Sequence, residues 1–146
     1  GFKNSKNYNY NQQPIDWADA IAKRHDEDYA AVNSEGYLDD INTLQADLDM
    51  VGRIDEFFAK NRYKIPGMEL EGPEGVDTPV RTTTSRECEG TLHGQRIFIS
   101  ALATYKQWKI VKGYGNDNYY NDLRKDFGEA HPGTALILDL IPSDKK

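Results

Sequence analysis

A chain of 146 residues with nine Tyr, five Phe and two Trp can bury one domain-sized core, which excludes a chain disordered throughout. Its net charge of -6, with no basic block, argues against nucleic-acid binding and against electrostatic adsorption to an anionic membrane. Cys88 is the single cysteine, so packing rather than an internal disulfide must hold the fold, and an extracellular site of action stays open.

No apolar run reaches transmembrane length and no signal peptide opens the chain. A start at Gly1 rather than Met suggests a fragment of a larger protein or a processed chain.

In chain order, residues 1–13 are rich in Asn, Lys, Gln and Tyr and read as a loop. Pro14 is predicted to open a helix over 14–32, with Asp16 and Asp19 complementing its dipole. Trp17, Ala18, Ile21, Ala22, His25, Tyr29 and Ala30 recur at helical spacing, so His25 sits on an apolar face. Residues 33–36 form a turn, and Asp39 and Asp40 cap a second helix over about 38–61. Its predicted stripe is Ile41, Leu44, Leu48, Val51, Ile54, Phe57 and Phe58, with Asp47 between Leu44 and Val51 on the buried side. The short turn makes these helices antiparallel neighbours.

Residues 63–89, with Pro66, Gly67, Gly72, Pro73, Gly75 and Pro79, read as a long irregular loop with a possible short strand. A third helix is predicted over 90–111 on Ile97, Leu102, Tyr105, Trp108 and Val111. A turn at 113–117, a short helix over 118–129 and a strand or terminal helix at 135–141 complete the chain. The expected fold is mainly α. Residues 1–62 form the core that carries the site, and residues 63–146 form a helical extension packed on it, within one compact domain.

A histidine and an aspartate on facing buried stripes make a dyad. The aspartate accepts a hydrogen bond from one ring nitrogen, fixes the tautomer and supports the imidazolium formed when the other nitrogen takes a proton. Water can then attack directly, so no Ser or Cys nucleophile is needed. Asp26, about 100° further round the helix, is a hard oxygen ligand that can hold calcium beside the dyad. Such an ion polarises a carbonyl and stabilises an oxyanion.

The segment Pro14-Ile-Asp-Trp-Ala-Asp-Ala-Ile-Ala-Lys-Arg-His-Asp-Glu-Asp-Tyr29 resembles the active-site helix of phospholipase A2. It is most similar to the disulfide-free kind found in parvoviral capsid proteins and bacterial toxin domains. The shared features are Ala-Asp-Ala, then His25-Asp26, then Tyr29 three residues beyond that Asp. Leu44-Gln-Ala-Asp-Leu-Asp-Met-Val51 resembles the family's second helix, whose Ala-Asp pair supplies the partner aspartate. The likeness covers about residues 2–58.

The resemblance implies His25 as base, Asp47 as its partner, Tyr29 as a hydrogen-bonding support and Asp26 as a Ca2+ ligand. The family's calcium loop is Gly-rich. The matching stretch here, Phe2-Lys-Asn-Ser-Lys-Asn-Tyr8, has no Gly, so Phe2, Asn4 and Tyr8 stand as loop ligands and Asn4 or Asn7 would take the left-handed role. The implied activity is calcium-dependent hydrolysis of a fatty acyl ester of a glycerophospholipid. The implied setting is a toxin or effector domain, secreted or delivered into a target cell, acting at membranes. It would be borne by a larger carrier protein upstream, with an immunity protein as inhibitor.

Two alternatives stand beside it. One is a phospholipase-like binding module without catalysis. The other is a metal-dependent phosphoesterase, which requires His93 and His131 to converge on His25.

Overall fold

The structure is a computed structural model that describes residues 12–32, 40–83, 85–116 and 120–133. Among these the chain is mainly helical: α1 Trp17–Ala31, a 3-10 turn Ile41–Thr43, α2 Leu44–Lys60, α3 Arg86–Lys112 and α4 Tyr120–Ala130. No helix among the described residues is long and apolar enough to cross a membrane. The expected turn at 33–36, the Asp39 cap and the element at 135–141 lie outside the described residues.

Helix α1 begins later than Pro14 because Asp16 is its N-cap, accepting from the Asp19 N–H at 2.9 Å. Pro14 and Ile15 instead run beside residues 80–81. Their carbonyls accept from Val80 N–H at 2.9 Å and Arg81 N–H at 2.8 Å. Six of the seven residues of the predicted apolar face, Trp17, Ala18, Ile21, Ala22, His25 and Tyr29, are buried, and Ala30 is half-buried.

Helix α2 runs antiparallel to α1. The start of one meets the end of the other, with Trp17 and Phe57 ring centroids 6.3 Å apart and Tyr29 Oη 2.7 Å from Asp47. Asp28 and Arg53 bridge the pair between these points, at 3.2 Å. The buried positions of α2 are Ala46, Asp47, Met50, Ile54 and Phe57, so the predicted stripe is rotated. Leu48 is exposed and Met50 takes its place. Asp40 caps the preceding 3-10 turn through the Asn42 N–H at 2.9 Å, and α-helical geometry starts only at Leu44.

Residues 61–83 strap the helices together, with no strand among the described residues. The only β feature described is an isolated antiparallel bridge between Glu69 and Thr83, where a short strand was expected. Asn61 anchors the strap. Its amide donates to the Phe57 and Glu71 carbonyls at 2.8 Å each, and its oxygen accepts from the Glu71 N–H at 2.9 Å. Gly72 lies flat against Trp17, where a Cβ would fall 2.2 Å from the indole.

Helix α3 starts four residues before the predicted Gly90. Ser85 caps it by accepting from Cys88 N–H at 3.1 Å, Glu87 and Glu89 complement its dipole, and Gly113 ends it at φ 80°. It is antiparallel to α2, with His93 stacked on Phe58 near its start and Lys106 against Asp47 towards its end. Leu102, Tyr105 and Trp108 are buried as expected, but Ile97 and Val111 are exposed.

Two apolar clusters result. One joins α1, α2 and the first half of α3 through Ile21, Met50, Ile54, Phe57, Leu92 and Ile99. The other joins the end of α3 to α4 through Tyr105, Trp108, Leu123 and Phe127. A buried polar layer sits at the end of the first cluster, just beyond Ile21 on α1, before Met50 on α2 and beyond Ile99 on α3.

Candidate active site

That polar layer consists of His25, Tyr29, Thr43, Asp47 and Lys106, all buried. Helical spacing delivers the first two: His25 is one turn beyond Ile21, and Tyr29 one turn further. Asp47 belongs to the α2 series Asp47, Met50, Ile54, Phe57, so it shares the core-facing side with three apolar residues.

His25 Nε2 lies 2.7 Å from Asp47 Oδ1, with His25 1 % and Asp47 0 % exposed. A carboxylate only accepts, so Nε2 carries the proton, and the neutral ring has its lone pair on Nδ1. Tyr29 Oη donates to the same Oδ1 at 2.7 Å. The His25 and Tyr29 rings pack with centroids 4.4 Å apart. Burial, then the Asp47 charge and hydrogen bond, push the Tyr29 phenol well above its ordinary pKa, so it stays a neutral donor.

Lys106 completes the layer from α3. It is 0 % exposed, and its Nζ donates to Asp47 Oδ2 at 2.5 Å, to Thr43 Oγ1 at 2.6 Å and to Tyr29 Oη at 3.0 Å. Thr43 Oγ1 donates in turn to the Asp40 carbonyl at 2.5 Å. Its proton is thus engaged in holding the 3-10 turn, and it is no nucleophile. A buried carboxylate is costly to desolvate, and the paired ammonium offsets part of that cost.

The structure therefore brings together His25, Asp47 and Tyr29 of the predicted residues. Asp26 is buried on α1 beside His25. Phe2, Asn4 and Tyr8 lie outside the described residues. Among the described residues no group of three or more His, Cys, Asp or Glu side chains could hold a metal ion. Of the predicted calcium ligands, Asp26 is the one that falls among the described residues, and a carboxylate is a hard oxygen ligand of the type calcium takes.

His93 stacks on Phe58 at 4.4 Å between centroids, and His131 packs on Phe127 at 4.6 Å in the second cluster. Neither joins the His25 layer, which removes the histidine-rich phosphoesterase reading. Cys88 is buried in the first cluster, and burial raises its thiol pKa, so it is poorly suited to act as a thiolate.

Sequence reasoning missed Lys106 and Thr43. A signal for Lys106 was present: it falls seven residues beyond Ile99 and three beyond Ala103, on the buried stripe of α3. A cation on such a stripe requires a buried anion, and Asp47 was already placed on one.

The arrangement can hold a neutral imidazole in one tautomer and stabilise it when it gains a proton. That is the equipment of a general base acting on water. Compared with known protein-family profiles, curated protein sequences and solved structures, the chain matches none.

Proposed function

We propose that this chain is a phospholipase A2-like hydrolase that cleaves a fatty acyl ester of glycerophospholipids. The observation that carries the reading is the 2.7 Å contact from His25 Nε2 to Asp47 Oδ1, made across two antiparallel helices, with Tyr29 on the same oxygen. This is the constellation that the resemblance of residues 14–29 and 44–51 implies.

In this mechanism a water molecule gives its proton to His25 Nδ1 as its oxygen attacks the acyl carbonyl. Asp47 stabilises the imidazolium, which returns the proton to the departing glyceryl oxygen. A fatty acid and a lysophospholipid leave. Ca2+ held at Asp26 would polarise the carbonyl and support the oxyanion. The setting proposed is a bacterial toxin or effector domain, secreted or delivered into a target cell by a larger carrier and restrained by an immunity protein.

A second reading, a phospholipase-like module that binds without turnover, is favoured by one observation: His25 and Asp47 are almost wholly buried.

The test is fatty acid release from phosphatidylcholine and phosphatidylethanolamine liposomes, with calcium or with chelator. A general base contributes on the order of 10²–10⁴-fold, and His25→Ala should lose activity by that factor. Full activity in His25→Ala sinks the mechanism. No turnover in the unaltered chain, with no heat of calcium binding by calorimetry, selects the binding module.

A further inference from the structure

We propose that Lys106 is the positioning residue of the dyad. Its ammonium locks the Asp47 carboxylate so that Oδ1 faces His25 Nε2, which makes α3 part of the site. This assignment rests on the reading of His25 and Asp47 as the base and its partner.

An aspartate's χ2 is a broad, roughly two-fold torsion, so the backbone of α2 does not by itself decide which way the carboxylate plane faces. Two groups fix it. Tyr29 holds Oδ1, and Lys106 holds Oδ2.

The ammonium is itself determined. It has three N–H bonds, and three oxygens from separate elements lie within 3.0 Å: Asp47 Oδ2 on α2, Thr43 Oγ1 on the 3-10 turn and Tyr29 Oη on α1. Lys23 is a useful contrast. It is also buried, but its Nζ reaches out to Asp77, whose side chain is largely exposed, as a snorkelling lysine does. Lys106 points inward and ends on the carboxylate that orients the base. It joins α1, α2 and α3 at one atom, so the catalytic geometry is not a property of residues 1–62 alone.

Balancing buried charge and setting carboxylate orientation are different roles, and they are separable. A lysine that only balances charge lowers stability when replaced but leaves the His25–Asp47 hydrogen bond in place. A positioning lysine loses that bond first.

The experiment uses the whole chain and the variants Lys106→Met and Lys106→Gln. Three properties are read: helical far-UV circular dichroism, the slowly exchanging downfield imidazole Nε2–H proton resonance of His25, and kcat and KM for liposome hydrolysis. The expected result is a helical Lys106→Met whose His25 proton signal is lost or moved upfield, with kcat reduced at least tenfold and KM little changed. Lys106→Gln, which keeps a donor, should retain part of the signal. A signal unchanged in position and exchange rate in both variants overturns the proposal. So does loss of helicity in both, since Lys106 would then be a structural residue. A natural chain that shows the Lys106-dependent signal but releases no fatty acid sinks the hydrolase reading alone and leaves the positioning role standing.

Discussion

Lys106 and His25 bind opposite oxygens of one carboxylate: Asp47 Oδ2 takes the ammonium and Oδ1 takes the imidazole. Both side chains are buried, so neither contact is shared with bulk water. Asp47→Asn would leave the Lys106 ammonium buried without its counter-charge. Breaking one partner of a buried pair costs about 3–5 kcal/mol. Asp47→Asn combined with Lys106→Met removes both charges and should recover much of that loss. Urea denaturation of the two single variants and the double variant measures the coupling. Additive losses would show that the pair does not interact energetically.

Tyr29→Phe keeps the ring against His25 but deletes the donor to Asp47 Oδ1 and the acceptor for Lys106. A buried hydrogen bond to a charged group contributes about 1.5–3 kcal/mol, and the expected destabilisation lies in that range. Because Lys106 still holds Oδ2, the activity loss should be smaller than in His25→Ala. Equal losses in the two variants would show that Tyr29 does more than support.

Alkaline pH gives an independent reading of the same layer. Tyr29 has its pKa raised above the ordinary 10.0 by burial and by Asp47. Below 10 the phenol is protonated in both states and its contribution is fully present. Above 10 the unfolded chain releases the proton while the folded chain keeps it, so stability falls as pH rises from 10 towards the folded pKa. Absorbance at about 295 nm should show Tyr29 ionising only with unfolding, and Tyr29→Phe should reduce that phase by one tyrosine.

Gly72→Ala should be destabilising because its Cβ would meet Trp17 Cη2 and Cζ3 at 2.2 Å. Either the strap or the indole must move, and overpacking of this kind costs about 1–3 kcal/mol. Thermal unfolding checks it. A melting point equal to that of the natural chain would show that the strap yields freely there.

The Asp55–Arg96 bridge between α2 and α3 is the surface counterpart. Arg96 Nε donates to Asp55 Oδ1 at 2.7 Å and Nη2 to Oδ2 at 3.1 Å, with both side chains half exposed. Arg96 holds the Asp55 carboxyl below its ordinary pKa. Its contribution is present above the unfolded pKa and fades as pH falls through the lower folded one. Solvent screening limits it to about 0–1 kcal/mol, so Asp55→Asn should change urea stability by no more than that at pH 7 and by still less at high salt.

Periodicity alone located most of the layer. In α1 the apolar residues repeat so regularly that His25 and Tyr29 could only lie on the core side. In α2 two overlapping stripes compete, one through Leu44, Leu48 and Val51 and one through Asp47, Met50, Ile54 and Phe57. Counting hydrophobicity favours the first, because the second begins with an aspartate. The fold takes the second, since Asp47 finds its donors there. Asp47 was still placed on the buried side, being adjacent to both.

The sequence by itself determined the helical character of the chain, the core face of α1 and the pairing of His25 with Asp47, because spacing and a short connection act locally. Only tertiary structure decided the phase of α2 and the place of Lys106. A charged side chain in a helix reads as solvated until its partner is known, and this partner is 59 residues away. Burial of an ammonium is tolerated only where folding delivers a carboxylate to it; the periodicity of α3 places Lys106 on the buried stripe, but which anion meets it is settled only by the packing of α3 on α2.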